Sequence, residues 1–211
     1  MLNAKVSSTR RLSPEDREKQ ILEGAIKFFA EKGFSGQTRE LALQLGITQP
    51  LLYRYFPTKR SLIERVFNEV YINKLDPVWS EALTDRSQPL HKRLCDFYCN
   101  YSEATYRNEW IRIYMFSALM EEPLNKHYIG LVEEKILAPI CIELRHYCGL
   151  PDIDINPIDQ IELDHVWVMH GGLFYHAIRK HVYRSRVSSN FNEIVSRAVS
   201  TMLEGNKAIQ H

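Results

Sequence analysis

The chain has no long apolar run, and this absence already limits what it can be. Although 45% of its 211 residues are hydrophobic, no stretch approaches the roughly 20 apolar residues that a membrane-spanning helix needs. The N-terminus also lacks the apolar core of a signal peptide. We therefore expect a cytoplasmic protein with no membrane partner, large enough to bury a core as one or two domains.

Motifs of catalysis and metal binding are missing as well. The sequence contains no glycine-rich phosphate loop, no His-Glu-x-x-His and no nucleophile elbow. Its four cysteines include no Cys-x-x-Cys pair, so we interpret them as free thiols rather than as a redox or metal sensor. His165, His170, His176 and His181 are five or six residues apart, whereas neighbours on one helical face are three or four apart. We predict no metal, no cofactor and no enzyme.

Strand patterns are absent too, because no segment alternates apolar and polar residues over a sustained length between hairpin turns. Helical periodicity runs through the chain instead, so the predicted fold is all-α. Beyond residue 58 we predict helices over 59–75, 90–107, 110–120, 123–148, 158–183 and 190–204, with a kink at Pro139.

The most informative stretch, residues 38–59, has the pattern of two short helices joined at a glycine. Thr38 can cap the first helix, and Gly46 can end it in a left-handed conformation at little cost. Thr48 can cap the second helix, with Pro50 in its first turn. This arrangement places a helix end in the major groove of DNA, although an ordinary helical hairpin with a polar face would show the same local pattern.

The sequence on either side supplies the rest of a small helical domain. Ser13 and Pro14 mark the start of a preceding helix, which Gly33 closes. Pro57 stops the second helix of the pair, and Thr58 can cap the next. Three helices therefore precede Pro57, as a small DNA-binding domain requires.

Charge favours the same end of the chain. Residues 1–60 carry eleven Lys/Arg and six Asp/Glu, a net of +5, whereas residues 61–211 carry sixteen and twenty, a net of −4. Lys5, Arg10 and Arg11 form a basic N-terminal arm that could follow the DNA backbone or enter a minor groove; a solvated tail is an equal alternative.

Three segments together resemble the TetR family of bacterial transcriptional regulators. They are ILEGAIKFFAEKGF at 21–34, ELALQLGIT at 40–48 and LYRYFPTKRSL at 52–62, which are similar to the family's first helix, its helix-turn-helix and its Tyr-x-x-Phe-x-x-Lys ending. The resemblance covers about the first third of the chain. It implies a three-helix DNA-binding domain over residues 1–58 and a helical effector-binding and dimerisation domain over 59–211.

The same resemblance implies a ligand-responsive transcriptional regulator, more often a repressor. Such a protein binds a palindromic operator in double-stranded DNA as a homodimer and is released by a small, largely apolar effector. A helical protein that acts through a protein partner, or an unrecognised enzyme, is the alternative. The positions expected to contact bases or phosphates are Thr38, Thr48, Gln49, Pro50, Leu51, Tyr53, Arg54, Tyr55 and Lys59.

Two further sets of residues follow from the family's organisation. The aromatic and sulfur-rich lining expected for the effector pocket is Phe97, Tyr101, Trp110, Tyr114, Met115, Trp167, His170 and Phe174; plain core packing would use the same residue types. The expected dimer interface is Gly171, Tyr175, Phe191, Ile194, Val195, Ala198, Val199 and Met202. The pair Gly171-Gly172 predicts a close helix approach, either to a subunit partner or within the chain.

Overall fold

All regular secondary structure in the computed structural model, which describes residues 12–75, 77–119 and 123–209, is helical. The predicted all-α fold is confirmed. The basic arm at Lys5, Arg10 and Arg11 lies outside the described residues, as does the helix end predicted at residue 120. In chain order the helices are α1 (Pro14–Lys32), α2 (Thr38–Gln44), α3 (Gln49–Tyr55), α4 (Lys59–Val70), α5 (Pro77–Thr84), α6 (Leu90–Thr105), α7 (Asn108–Leu119), α8 (Pro123–Val132), α9 (Ala138–Cys148), α10 (Gln160–His181) and α11 (Phe191–Ile209).

The chain divides into two compact units between Val66 and Phe67, inside α4. This helix therefore contributes residues to both units. A short 3₁₀ turn, Ile72–Lys74, follows α4 where a longer helix to residue 75 was predicted. The domain boundary predicted between residues 58 and 59 stays a prediction.

The N-terminal unit is a small core of helices α1 to α3 and the first part of α4. Its fully buried side chains include Ile21, Phe29, Leu41, Leu52 and Leu62. Gly24 lets α1 approach the end of α2 closely, because a Cβ atom there would lie 2.3 Å from Cδ2 of Leu45. The sequence spacing of apolar residues thus converges on one core, as an amphipathic helix pattern requires.

In the C-terminal unit, a π-helical turn at Glu133–Leu137 joins α8 to α9 directly ahead of Pro139. The Ala138 N–H donates to the Glu133 carbonyl, as the wider turn requires. Since proline has no N–H to give the preceding turn, a single π turn lets the helical path continue past it. The interruption occurs where the sequence predicted a kink.

The same unit buries a carboxylate between two arginines. Glu143 on α9 accepts a hydrogen bond from Arg93 of α6 at 2.8 Å and another from Arg86 at 2.9 Å. Burial opposes ionisation of Glu143, but the two arginines outweigh it and hold the pKa of this carboxyl below its usual value. The ion pairs tie α6 and α9 to the segment before α6.

Candidate functional site

Helices α2 and α3 form the predicted helix-turn-helix. Gly46, between them, has a φ of +63°, a left-handed conformation that favours glycine. The Thr48 hydroxyl accepts the Leu51 N–H at 3.3 Å and caps α3, and Pro50 occupies the first turn. The turn and the start of the second helix are therefore built as the sequence predicted.

The side chains expected to reach DNA differ in how far they are exposed. Thr48, Pro50 and Arg54 are exposed, Gln49, Leu51, Tyr53, Tyr55 and Lys59 are half-buried, and Thr38 is buried. Eight of these nine positions therefore offer surface to a ligand, and all of them except Thr38 and Lys59 lie on α3 or at its cap.

Thr38 does not cap α2 as predicted. Gln37 occupies the cap position and Thr38 is the first helical residue, with only 6% of its surface exposed. Its hydroxyl accepts the Gln49 side-chain amide at 3.0 Å and lies 2.8 Å from the Tyr53 hydroxyl. Thr38 thus holds two side chains of α3 in place, because its position inside the α2–α3 contact favours a protein partner over solvent.

The C-terminal unit contains a small aromatic cavity of about 40 Å³. We call it the inner cavity; it is lined by Tyr101, Trp110, Tyr114, Tyr128, Ile129, Val132, Trp167, His170, Gly171 and Phe174. Six of the eight residues predicted to line an effector pocket are brought together here. Phe97 and Met115 are not: Phe97 packs against Trp79 and Tyr98 in the core, and Met115 does not reach the cavity lining.

Several polar atoms around the inner cavity lack a hydrogen-bond partner among the described residues. They include Nε1 of Trp110 and Nδ1 of His170, both on residues that line the cavity, and the hydroxyl of Tyr106. Burial lowers the pKa of His170 to about 4, so its ring is neutral near pH 7. The hydroxyls of Tyr101 and Tyr128 satisfy each other at 2.9 Å.

A second, larger pocket of about 370 Å³ lies beside α6, α10 and the start of α11. We call it the outer pocket; it is lined by Ser102, Glu103, Tyr106, Arg107, His176, Ala177, Lys180, His181, Ser188, Ser189, Asn190, Phe191 and Asn192. The Tyr106 ring also lies 6.2 Å from Trp110 and 6.0 Å from Phe174, both of which line the inner cavity. The Tyr106 ring therefore lies between the inner cavity and the outer pocket.

The end of α4 packs against the wall of the inner cavity. The Phe67 ring lies 6.5 Å from Tyr128. Tyr71, just past α4, has its ring 4.9 Å from Trp110 and donates its hydroxyl hydrogen to the Trp110 carbonyl at 2.8 Å. A change in the position of Trp110 or Tyr128 would therefore displace the residues at the end of this helix that contact them.

The residues predicted to form a dimer interface separate into buried and accessible sets. Val195 and Val199 are fully buried and Met202 nearly so, because that side of α11 packs against α6 and α9 of the same chain. Expecting the whole stripe to face a partner was therefore wrong. Ile194 and Ala198 instead line an open apolar groove of about 520 Å³ between α10 and α11, together with His165, Val168, Met169, Gly172, Leu173, Thr201, Met202 and Gly205.

The two adjacent glycines of α10 face different spaces. Gly171 lines the inner cavity and Gly172 lines the α10–α11 groove. A Cβ atom at either position would meet no atom within 4 Å, so neither glycine serves a close helix contact inside the chain. Nearby on the surface, Val168 and Tyr175 are 75% and 51% exposed, and Phe191 contacts the Tyr106 ring.

Within the described ranges no three His, Cys, Asp or Glu side chains are grouped as a metal site would require. No helix in those ranges is long and apolar enough to cross a membrane.

Comparison with known proteins supports the interpretation of the N-terminal unit. Residues 21–66 match the family model described as bacterial regulatory proteins, tetR family. The chain is 38% identical over 58 residues to the uncharacterised HTH-type transcriptional regulator YuxN of Bacillus subtilis (strain 168), covering 27% of this chain and 20% of that protein. It is 34% identical over 61 residues to the HTH-type transcriptional regulator LuxR of Vibrio harveyi, covering 28% and 30%. The chain thus spans less than a third of the length of these curated relatives.

The fold of the whole chain has solved counterparts. A TetR-like transcriptional regulator from Rhodococcus sp. RHA1 aligns with 92% of this chain and all of its own, with a TM-score of 0.69 and 15% sequence identity. At that identity the likeness establishes the fold alone, and the family match concerns residues 21–66. Residues 21–66 are therefore similar to bacterial regulatory proteins of the tetR family, and the whole chain has the fold of a solved TetR-like regulator.

Proposed function

We propose that this protein is a ligand-responsive, cytoplasmic transcriptional regulator that binds double-stranded DNA through α2 and α3. The observation that carries the proposal is the capped, proline-started α3, whose surface positions mix amide, hydroxyl, guanidinium and phenol groups in the basic part of the chain. Such a mixture suits base edges and phosphates together. No catalytic role is proposed.

Roles within the motif follow from exposure and hydrogen bonding. Gln49 and Leu51, at the start of α3, approach base edges, and Leu51 suits a thymine methyl because it cannot donate a hydrogen bond. Tyr55, Arg54 and Lys59 contact the phosphate backbone. Thr48 and Pro50 sit at the same helix end and border the bases.

Thr38 acts indirectly in this proposal. Its hydroxyl is engaged by Gln49 and Tyr53, so it fixes the direction of a base-contacting amide and a backbone-contacting phenol rather than binding phosphate itself. Fixing these rotamers in advance reduces the side-chain entropy lost on binding.

We also propose a homodimer that pairs the α10–α11 groove of one protomer with the same surface of another. The groove is open and apolar, and Val168 exposes three-quarters of its surface beside it. Gly172 offers a partner backbone close approach because no atom of its own chain fills that space. A two-fold dimer would present two recognition helices to half-sites about 34–36 Å apart on a palindromic operator.

The effector in this proposal is a small, largely apolar molecule that occupies the inner cavity. Phe67 and Tyr71 touch the cavity wall, and α4 runs unbroken from Lys59 to Val70. A displaced Trp110 would move the end of α4 and, through that helix, Lys59 and the recognition motif. The effector releases DNA only if it binds the displaced state more tightly than the DNA-bound state.

Selection of bound sequences from a random duplex library tests the DNA function, with affinities then measured by fluorescence anisotropy at two salt concentrations. We expect a palindrome whose affinity falls steeply with salt. Lys59→Ala should weaken binding to all sequences and Gln49→Ala should relax base preference, whereas Lys126→Ala, an exposed lysine of α8, should leave both unchanged. If no sequence is enriched and Lys59→Ala behaves like the wild type, the result would favour a protein that acts through a protein partner or as an enzyme.

Sedimentation analysis of two glycine variants tests the dimer. Gly172→Leu should produce monomers because its side chain enters the shared groove. Gly130→Leu, which also places its side chain in open space but on α8, should remain dimeric. A Gly172→Leu protein that stays fully dimeric would show that the partner binds elsewhere.

A further inference from the structure

We infer that the effector places an uncharged, apolar body in the inner cavity and presents a hydrogen-bond acceptor, such as a carbonyl or ether oxygen, to the indole N–H of Trp110. This inference rests on the proposed function and specifies the ligand class of the inner cavity. It comes from the polar atoms that the cavity leaves without partners and from the absence of charge in its lining.

The acceptor is required by Trp110. Its Nε1 is a donor only, the residue is 4% exposed, and no described atom accepts its hydrogen. A buried donor left without a partner destabilises the protein, so a ligand oxygen that accepts this hydrogen is bound more tightly. Nδ1 of His170, on another wall of the same cavity, offers a second polar contact.

Charge is excluded from the inner cavity by its lining. The described residues around the inner cavity include no Lys, Arg, Asp or Glu, and His170 is neutral near pH 7 because burial lowers its pKa to about 4. The Glu133 carboxylate accepts the Trp167 indole N–H at 3.0 Å, which places negative charge behind one wall. An anionic group in the inner cavity would therefore lose its hydration without gaining a counter-ion, because the charged side chains of Glu103, Arg107 and Lys180 line the outer pocket instead.

Room for the ligand comes from Tyr106. The inner cavity, at about 40 Å³, is smaller than the roughly 150 Å³ cavity that accepts benzene. The outer pocket provides about 370 Å³ on the far side of the Tyr106 ring, and no described hydrogen bond holds the Tyr106 hydroxyl. Rotation of this ring would join the two spaces into a volume typical of small-molecule sites.

Three probes of similar size test the ligand class by isothermal titration calorimetry of the full chain. Acetophenone has a carbonyl acceptor, ethylbenzene lacks it, and benzoate carries a charge. We expect acetophenone to bind about tenfold more tightly than ethylbenzene, as one regained hydrogen bond allows, and benzoate to bind most weakly. Trp110→Phe should remove the preference for acetophenone. Trp79→Phe should keep it, because Trp79 does not line the cavity and contacts the rings of Phe97 and Tyr101.

A second pair of variants tests the same cavity in case the Trp110→Phe protein does not fold. Gly171→Ala adds a methyl group to the cavity lining without a clash and should weaken acetophenone binding, while Gly172→Ala in the adjacent groove should not. Equal binding of acetophenone and ethylbenzene, strongest binding of benzoate, or no binding by any probe would overturn the inference. DNA anisotropy on the same samples keeps the two ideas apart: sequence-specific DNA binding can persist when the ligand class is wrong, and its absence contradicts the proposed function alone.

Discussion

The two units of the chain specify their sites in different ways. In the N-terminal unit, each helix of the motif begins or ends at a residue whose chemistry sets that boundary, such as Thr48 at the start of α3 or Gly46 in the turn. In the C-terminal unit, the inner cavity draws its walls from α6, α7, α8 and α10, and no local signal fixes how those walls meet. The comparison separates sites encoded by neighbouring residues from sites encoded by packing.

Removing the buried carboxylate of Glu143 should cause the largest loss of stability, and this loss should occur in the C-terminal unit. Glu143→Gln leaves Arg93, itself 7% exposed, without its charge partner. We expect a loss of roughly 3–5 kcal/mol in the free energy of unfolding, as when one partner of a buried ion pair is removed. Chemical denaturation followed by tryptophan fluorescence measures it, since Trp79, Trp110 and Trp167 all lie in that unit.

The matched control is an exposed ion pair in the same unit. Glu193→Gln removes a carboxylate that bonds Arg197 one turn away on the surface of α11, and such pairs contribute at most about 1 kcal/mol. Similar losses for both variants would mean that Arg93 is solvated well enough to tolerate a missing partner.

A cavity in the core of the N-terminal unit should destabilise that unit. Leu52 is fully buried on α3, so Leu52→Ala should cost about 2–5 kcal/mol. Leu43→Ala, at a position that is 79% exposed on α2, should change stability by less than about 0.5 kcal/mol. Hydrogen exchange read by mass spectrometry should show faster exchange in peptides up to residue 66. Equal acceleration in peptides beyond 67 would mean that the two units unfold together.

This division explains how much of the structure the sequence could predict. The boundaries of α1 and α3, and the interruption ahead of Pro139, follow from residues that act on their own backbone, and they were predicted closely. Six of the eight residues predicted for an effector pocket line the inner cavity, because large aromatic residues at helical spacing collect in a core; their role in binding an effector stays a prediction. The unpartnered Trp110 N–H could not be foreseen, since it depends on which atoms surround it in space.

Where sequence reasoning was wrong, a non-local contact decided the outcome. Thr38 has the composition of a cap, yet Gln49 and Tyr53 on the following helix engage its hydroxyl. The apolar stripe of α11 has the pattern of an interface, yet α6 of the same chain covers Val195 and Val199. A stripe of apolar residues shows that something packs there and does not identify the partner.

Lowering the pH should reduce the stability of the C-terminal unit because of its buried histidine, His170. The folded pKa of His170 is about 4 because of burial, against 6.5 for the ordinary group. Below pH 6.5 the unfolded chain binds a proton that the folded chain refuses, so stability should be complete above pH 6.5 and fall by roughly 3 kcal/mol as the pH drops toward 4.

The variant His170→Gln isolates this contribution. Its free energy of unfolding should depend less on pH across that window, while the drop at lower pH, where Glu143 and Glu162 with their lowered pKa values take up protons, should persist in both proteins. An unchanged slope between pH 6.5 and 4 in the variant would assign the effect to other histidines, since burial also lowers the pKa of His176 and His181.

The smallest expected effect concerns a single local bond in the N-terminal unit. The Thr48 hydroxyl accepts the Leu51 N–H at the start of α3, so Thr48→Ala should cost about 1 kcal/mol in chemical denaturation. Thr48→Ser keeps the hydroxyl and should retain most of the lost stability, whereas Thr48→Val keeps the size of the side chain and should not. If Thr48→Val were as stable as Thr48→Ser, packing of the methyl group rather than capping would fix this end of the helix. The start of α3 would then depend on its surroundings, as the inner cavity does, and the contrast between the two units would weaken at the position where the local signal is clearest.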